Sequence, residues 1–168
     1  MQFITITDYI LLPLYLVLVF VISLFHRKYY CREEDKKYYF KALGLKVFGA
    51  IMTGLIYQFV YGSGDTANYF EGGKGITHLL FTDFDQWLVF MGSKSGEALA
   101  PNVQFHVFLD SQSFLIQKIV SILNIFTFST YLNSCLFFAL FSFWCFWAFF
   151  NTLNSLYDSQ YKNIFAIS

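Results

Sequence analysis

A carboxylate set in a glycine-rich turn is the side chain best placed for chemistry in this chain. Asp65 stands within Tyr61-Gly62-Ser63-Gly64-Asp65-Thr66-Ala67-Asn68-Tyr69-Phe70-Glu71-Gly72-Gly73, directly after an apolar run. The residues just before it carry no bulky side chain. A carboxylate so placed can act as a general base or hold a divalent cation. The same Asp would also cap a helix beginning at Thr66, which is the commoner use of Asp in such a setting. Lys118 is the second candidate, a cation in an amphipathic segment that could meet a phosphate headgroup or a pyrophosphate carrier. Its bland alternative is an amine that snorkels to the surface. His78 and His106 lie among acids without metal-ligand spacing and read more simply as solvated loop histidines. Gly72-Gly73-Lys74-Gly75 lacks the Gly spacing and the Ser or Thr of a phosphate loop, and no Gly-x-Ser-x-Gly elbow occurs. No cofactor is called for; a divalent metal at Asp65 is the only addition these residues would accommodate.

The elements that must position these groups follow from composition. Of 168 residues, 57% are hydrophobic and 13% charged, against about a quarter charged in soluble domains. Twenty-three Phe and twelve Tyr exceed what one small core can bury, whereas lipid-facing Phe and headgroup-level Tyr would place them without strain. The chain therefore reads as an all-α membrane protein, a single membrane domain over residues 1–168.

Uncharged runs at Tyr9–Phe25, Val47–Gly64 and Tyr131–Leu156, the second extended back across Lys46 by Leu43 to Leu45, predict membrane-spanning helices at about 9–25, 43–62 and 131–156, each near or above the ~17 residues that a span requires. The last contains Leu136-Phe137-Phe138-Ala139-Leu140-Phe141-Ser142-Phe143-Trp144-Cys145-Phe146-Trp147 and is the plainest of them. Gly44, Gly49, Ala50 and Gly54 give the second a small-residue face suited to close helix packing. Trp87, Trp144 and Trp147 are expected as interface anchors and packing residues.

Seven of the eleven basic residues, Arg27, Lys28, Arg32, Lys36, Lys37, Lys41 and Lys46, fall between the first two runs. By the positive-inside rule that connection is cytoplasmic, so the N-terminus lies outside. A cluster so short and so enclosed by apolar spans is a poor nucleic-acid surface. Residues 63–113 then form a long external excursion, with short helices expected at 76–81 and 83–91, the latter capped by Asp83 with Asp85 in its first turn. From 114 to 128, Ser113, Gln117, Ser121 and Asn124 fall on one stripe of an otherwise apolar helix. That pattern predicts a helix lying in the outer interface, with a polar-striped spanning helix as the competing reading.

Cys135 and Cys145 stand about 15 Å apart along one helix, too far to bridge, and Cys31 lies in the basic loop. The last span should end near Tyr157-Asp158. Asn163 to Ser168 reads as the first turn of a further apolar helix, and the expectation is an N-terminal piece of a longer polytopic protein.

The segment Tyr57-Gln58-Phe59-Val60-Tyr61-Gly62-Ser63-Gly64-Asp65-Thr66-Ala67-Asn68-Tyr69-Phe70 resembles a group of polytopic inner-membrane proteins from Bacteroidetes. These carry a Gly-Gly-Asp-Thr-x-x-Tyr-like sequence after their second helix; here Ser63 replaces one Gly. The resemblance continues through Ser113-Phe114-Leu115-Ile116-Gln117-Lys118-Ile119 and Leu123 to Leu132, where the family usually has a basic residue at the position of Lys118. More distantly the layout is similar to GT-C glycosyltransferases and exopolysaccharide polymerases. That likeness implies Asp65 as the catalytic or metal-binding acid. It implies Phe114 to Phe128, which bears Lys118, as an interface helix flanking a polyprenyl-phosphate-linked sugar at the outer face of the bacterial inner membrane. The alternative is a non-enzymatic membrane scaffold or transporter fragment in which Asp65 is structural.

Overall fold

The computed structural model describes residues 3–97, 99 and 103–165, with side chains described as far as Leu156. Every regular element among them is helical: α1 (Ile6–Tyr30), α2 (Lys36–Ile56), α3 (Asp65–Thr82), α4 (Phe84–Gly92), α5 (Ser111–Thr127) and α6 (Tyr131–Phe165). A 3-10 turn, Glu33–Asp35, leads into α2, and a π-helical turn, Tyr57–Tyr61, extends it.

Three stretches are long and apolar enough to cross a membrane: Ile6–Tyr30, Glu33–Tyr61 and Tyr131–Leu156, with mean hydropathies of 2.3, 1.5 and 1.7. Each helix outruns the apolar run that predicted it, because backbone hydrogen bonding continues past the point where side chains become polar. Arg27 and Lys28 thus occupy the last turn of α1, where cations complement the helix dipole. Helix α6 likewise continues through Phe165 without a break at Asp158. Residues 166–168 and the side chains of Asp158 and Lys162 lie outside the described residues.

α1 and α6 run parallel, with α2 antiparallel to both. At one end Asp8 joins the starts of α1 and α6. Its carboxylate accepts from the Thr5 N–H and hydroxyl, both at 2.9 Å, and from the Leu132 N–H at 2.8 Å. One buried acid therefore satisfies orphan donors at two helix N-termini. The π turn of α2 reaches the same end, where Gln58 Oε1 accepts from the Phe3 and Ile4 N–H groups at 2.9 and 3.0 Å. At the opposite, basic end, His26 stacks on Trp144 with ring centroids 5.0 Å apart, and its Nδ1 lies 2.9 Å from the Tyr39 hydroxyl. Tyr39, Phe143 and Trp147 close that end in edge-to-face contacts. The tryptophans thus serve in packing, as their sequence setting suggested. Cys31, Cys135 and Cys145 are free thiols.

The major departure from the sequence pattern lies in the excursion after the second span. In place of a loop with a short helix at 76–81, α3 runs unbroken for 18 residues across Gly72, Gly73 and Gly75. Glycine disfavours helix interiors by about 1 kcal/mol each, which is why the segment read as a loop. Tertiary packing reverses that preference. A Cβ at Gly72 would overlap the Gln117 amide and the His106 carbonyl, and one at Gly73 would fall 2.7 Å from Val120 Cβ. The glycines let α3 and α5 touch backbone to side chain.

α3 and α5 are parallel neighbours in fixed register, since Tyr69 bonds Ser113 and Thr77 bonds Ser121. The polar stripe of α5 is buried: Gln117 and Ser121, both 0% exposed, face α3, and Asn124, 1% exposed, accepts from the Ser134 hydroxyl of α6 at 3.3 Å. Its apolar side is outward, with Leu115 53%, Ile119 41%, Ile122 43% and Phe126 63% exposed. That is the polarity expected of a helix whose solvent is lipid. The interfacial helix of the sequence reading is thus half of a helix pair rather than a lone element.

Candidate functional site

The α3 helix has two working faces. One carries Tyr69, Gly72, Gly73 and Thr77 against α5. Gln117 at the centre of that seam donates to the Asn68 carbonyl (3.3 Å) and the His106 carbonyl (3.0 Å) and accepts from the Phe108 N–H (3.0 Å). It thereby ties the connector before α5 to α3. Thr77 donates to the Gly73 carbonyl at 2.8 Å and lies 2.9 Å from the Ser121 carbonyl. This face holds the layer together.

The other face carries Glu71, Lys74 and His78 at i, i+3 and i+7, a single helical stripe. All three line a groove of about 620 Å³, together with Gln86 of α4, Val103 and Phe105 of the connector, and Ser129 of the α5–α6 turn. The Phe105 ring lies directly on Gly75, where a side chain would displace it. Leu79 and Phe81 extend the apolar wall. His78 is oriented through Nδ1, which lies 3.4 Å from the Thr82 hydroxyl. A carboxylate, an ammonium and an imidazole therefore open onto one concavity with apolar sides. Such a set can bind an anionic head, take up a proton and seat an adjoining apolar chain.

Of the residues singled out in the sequence, Asp65 is exposed in the first turn of α3, and Gly64, at φ 149°, occupies the N-cap position instead. The capping role expected for Asp65 is therefore not the one it has, because the helix begins at Asp65 itself. At 100° per residue Asp65 points to roughly the opposite side of α3 from the stripe, and it precedes Glu71 by about 9 Å along the axis. Lys118, level with Lys74 in the α3–α5 register, turns to the end of α4. Its Nζ donates to the Ser93 carbonyl at 2.9 Å and the Met91 carbonyl at 3.3 Å, and it lies over the Phe114 ring. It thus supplies a cation to the carbonyl end of a helix, a favourable partner for the dipole. The structure does not bring Asp65 and Lys118 together.

Asp83 caps α4 as expected, accepting from the Gln86 N–H at 3.0 Å. Asp110 does the same for α5, accepting from the Ser113 N–H at 2.8 Å, and that backbone hydrogen bond holds its carboxyl below the usual range. His106 is exposed with its ring edge-on to Phe108, while His78 lies in the groove, so the two histidines serve different surfaces. Among the described residues, no three His, Cys, Asp or Glu side chains gather as a metal-ligand set.

No protein-family model, curated protein or solved structure matches the chain. The functional reading therefore rests on the groove itself. Its residues were legible as a pattern, since Glu71, Lys74 and His78 have helical spacing. The glycines between them concealed the helix that would have made the pattern visible.

Proposed function

We propose that this integral membrane protein binds a lipid-linked sugar, of the polyprenyl-phosphate class, in the groove beside α3. In this reading it forms part of a glycosyltransferase or polysaccharide polymerase. The observation that supports the proposal is the Glu71–Lys74–His78 stripe sharing a concavity with apolar walls in a chain built for lipid. Lys74 and His78 would face the phosphate. Glu71 would accept the proton of an acceptor hydroxyl as its oxygen attacks the anomeric carbon. The bond from that carbon to the phosphate oxygen breaks, and the departing anionic polyprenyl phosphate stays beside Lys74 and His78. Leu79, Phe81 and Phe105 would seat the first part of the prenyl chain.

The basic residues between α1 and α2 cluster at the far end of the bundle. By the positive-inside rule the groove then opens at the outer face of a bacterial inner membrane, with the N-terminus outside. Within this scheme the groove carboxylate is Glu71. Asp65, on the far side of α3, would act on substrate only from the lip of the layer, and Lys118 would position α4 rather than grip the phosphate.

Binding of polyprenyl phosphate and of uncharged polyprenol to the chain in nanodiscs tests the reading. Tighter binding of the phosphate, weakened about tenfold by Lys74→Ala or His78→Ala, is expected for lost charge-assisted contacts of about 1.4 kcal/mol. Equal binding of the two lipids overturns it. With a sugar-loaded carrier and an acceptor, Glu71→Gln should bind but fail to transfer, and Asp65→Asn should do both. Transfer lost in Asp65→Asn and kept in Glu71→Gln would return the catalytic role to Asp65. The second reading, a non-enzymatic scaffold or transporter part, is favoured by the single carboxylate among the described groove-lining residues. Transfer retained by a complete polytopic protein carrying both Glu71→Gln and Asp65→Asn would select it.

A further inference from the structure

The outward seam between α2 and α6 supports a separate inference, independent of the polar groove. Two cavities of about 730 and 450 Å³ follow it, and both are lined by Leu45 and Lys46, so they join at Lys46. The upper one shares Tyr131 and Cys135 with a third, apolar cavity of about 200 Å³ beneath α3. The crevice thus runs from the basic end of the bundle towards the α3–α5 layer.

The small-residue face of α2 leaves this space open. A Cβ at Gly54 would lie 3.1 Å from Leu132 Cδ2, so Gly54 does pack against α6. At Gly49, which lines the crevice, nothing lies within 4 Å of a Cβ, and Gly44 is equally open. Lys46 sits half-buried at the junction. Among the described residues it meets no carboxylate, and its ammonium lies 5.2 Å from the centre of the Phe146 ring. An ammonium in an apolar span is unfavourable until an anion or the headgroup layer takes it up.

A hydrocarbon-lined crevice with one unpaired cation partway along it complements an amphiphile with an anionic head and an apolar tail. We propose that the α2–α6 crevice binds an anionic phospholipid, its phosphate on Lys46 and one acyl chain along Gly49 towards Cys135. Charge decides against a further helix or a second copy as the occupant, since an apolar helix laid there would cover Lys46 without pairing it.

The test is native mass spectrometry of the purified chain in neutral detergent, titrated with phosphatidylglycerol or with phosphatidylcholine. Phosphatidylglycerol is expected to bind about fivefold more tightly, the factor given by about 1 kcal/mol for one lysine at a lipid surface. Lys46→Met should bring that ratio to about one, Lys46→Arg should keep it, and Lys41→Met, with its amine outside the crevice, should leave it unchanged. Gly49→Leu, whose Cβ would enter open space, should weaken both lipids, with circular dichroism confirming unaltered helicity. Equal binding of the two lipids, a preference that survives Lys46→Met, or undiminished binding to Gly49→Leu each overturns the proposal. Loss of a dimer in Gly49→Leu with lipid binding intact would overturn it too, and would assign the crevice to a second copy.

Discussion

Replacing Gly72 by Ala sets two physical effects against each other. Helix propensity alone favours Ala in a helix interior by about 1 kcal/mol. Gly72, however, faces the Gln117 amide and the His106 carbonyl at distances no Cβ can share. The methyl group must displace Gln117, whose amide bonds the Asn68 and His106 carbonyls and the Phe108 N–H. Gln117 is 0% exposed, so water cannot replace those partners. Each buried group left without a partner costs about 1–3 kcal/mol, and two such groups outweigh the propensity gain. The expected net loss is about 3 kcal/mol. The assay is reversible unfolding of the purified chain in lipid–detergent micelles by titration with a denaturing detergent, followed by circular dichroism. Gly44→Ala is the matched control, because its Cβ would enter open space and should gain up to about 1 kcal/mol. Gln117→Ala combined with Gly72→Ala should cost less than the sum of the two, by about 1 kcal/mol or more, since both remove the same hydrogen bonds. A Gly72→Ala variant that gains stability like Gly44→Ala would refute the view that close approach of α3 and α5 shapes this helix.

Other consequences are open to measurement. Asp8→Ala strands the Leu132 N–H at the start of α6 and uncaps α1, so a loss of about 2 kcal/mol is expected in the same unfolding assay, with Asp8→Asn losing less. The carboxyl of Asp110 titrates below its usual range because it accepts from the Ser113 N–H. Its stabilisation of the α5 start is therefore fully present above the unfolded value of about 3.9 and is lost as pH falls through the lower folded value. Hydrogen exchange at the first turn of α5 should speed up on acidification through that window, and Asp110→Asn should abolish the effect. Reporter fusions should score external after Gly96 and cytoplasmic after Lys36; the reverse result would overturn the positive-inside orientation.

The sequence by itself determined the solvent and the framework. Long apolar runs call for lipid-facing helices, and the three helices long and apolar enough to cross a membrane lie where those runs lie, because transfer of apolar side chains is a property of each segment taken alone. The cap by Asp83 and the polar stripe of α5 are equally local, since they depend on residues within a few turns of one another. Other features depended on partners distant in the chain. Gly72 and Gly73 are poor helix formers until α5 lies against them, so α3 could be recognised only from its packing. The role of Asp65 turned on where that helix begins, and the role of Lys118 on the end of α4 more than twenty residues earlier. Glu71, Lys74 and His78 share a groove only because Phe105 and Gln86 supply its other walls. Propensity and hydropathy are summed along the chain, whereas a groove is bounded by segments that only tertiary packing brings together.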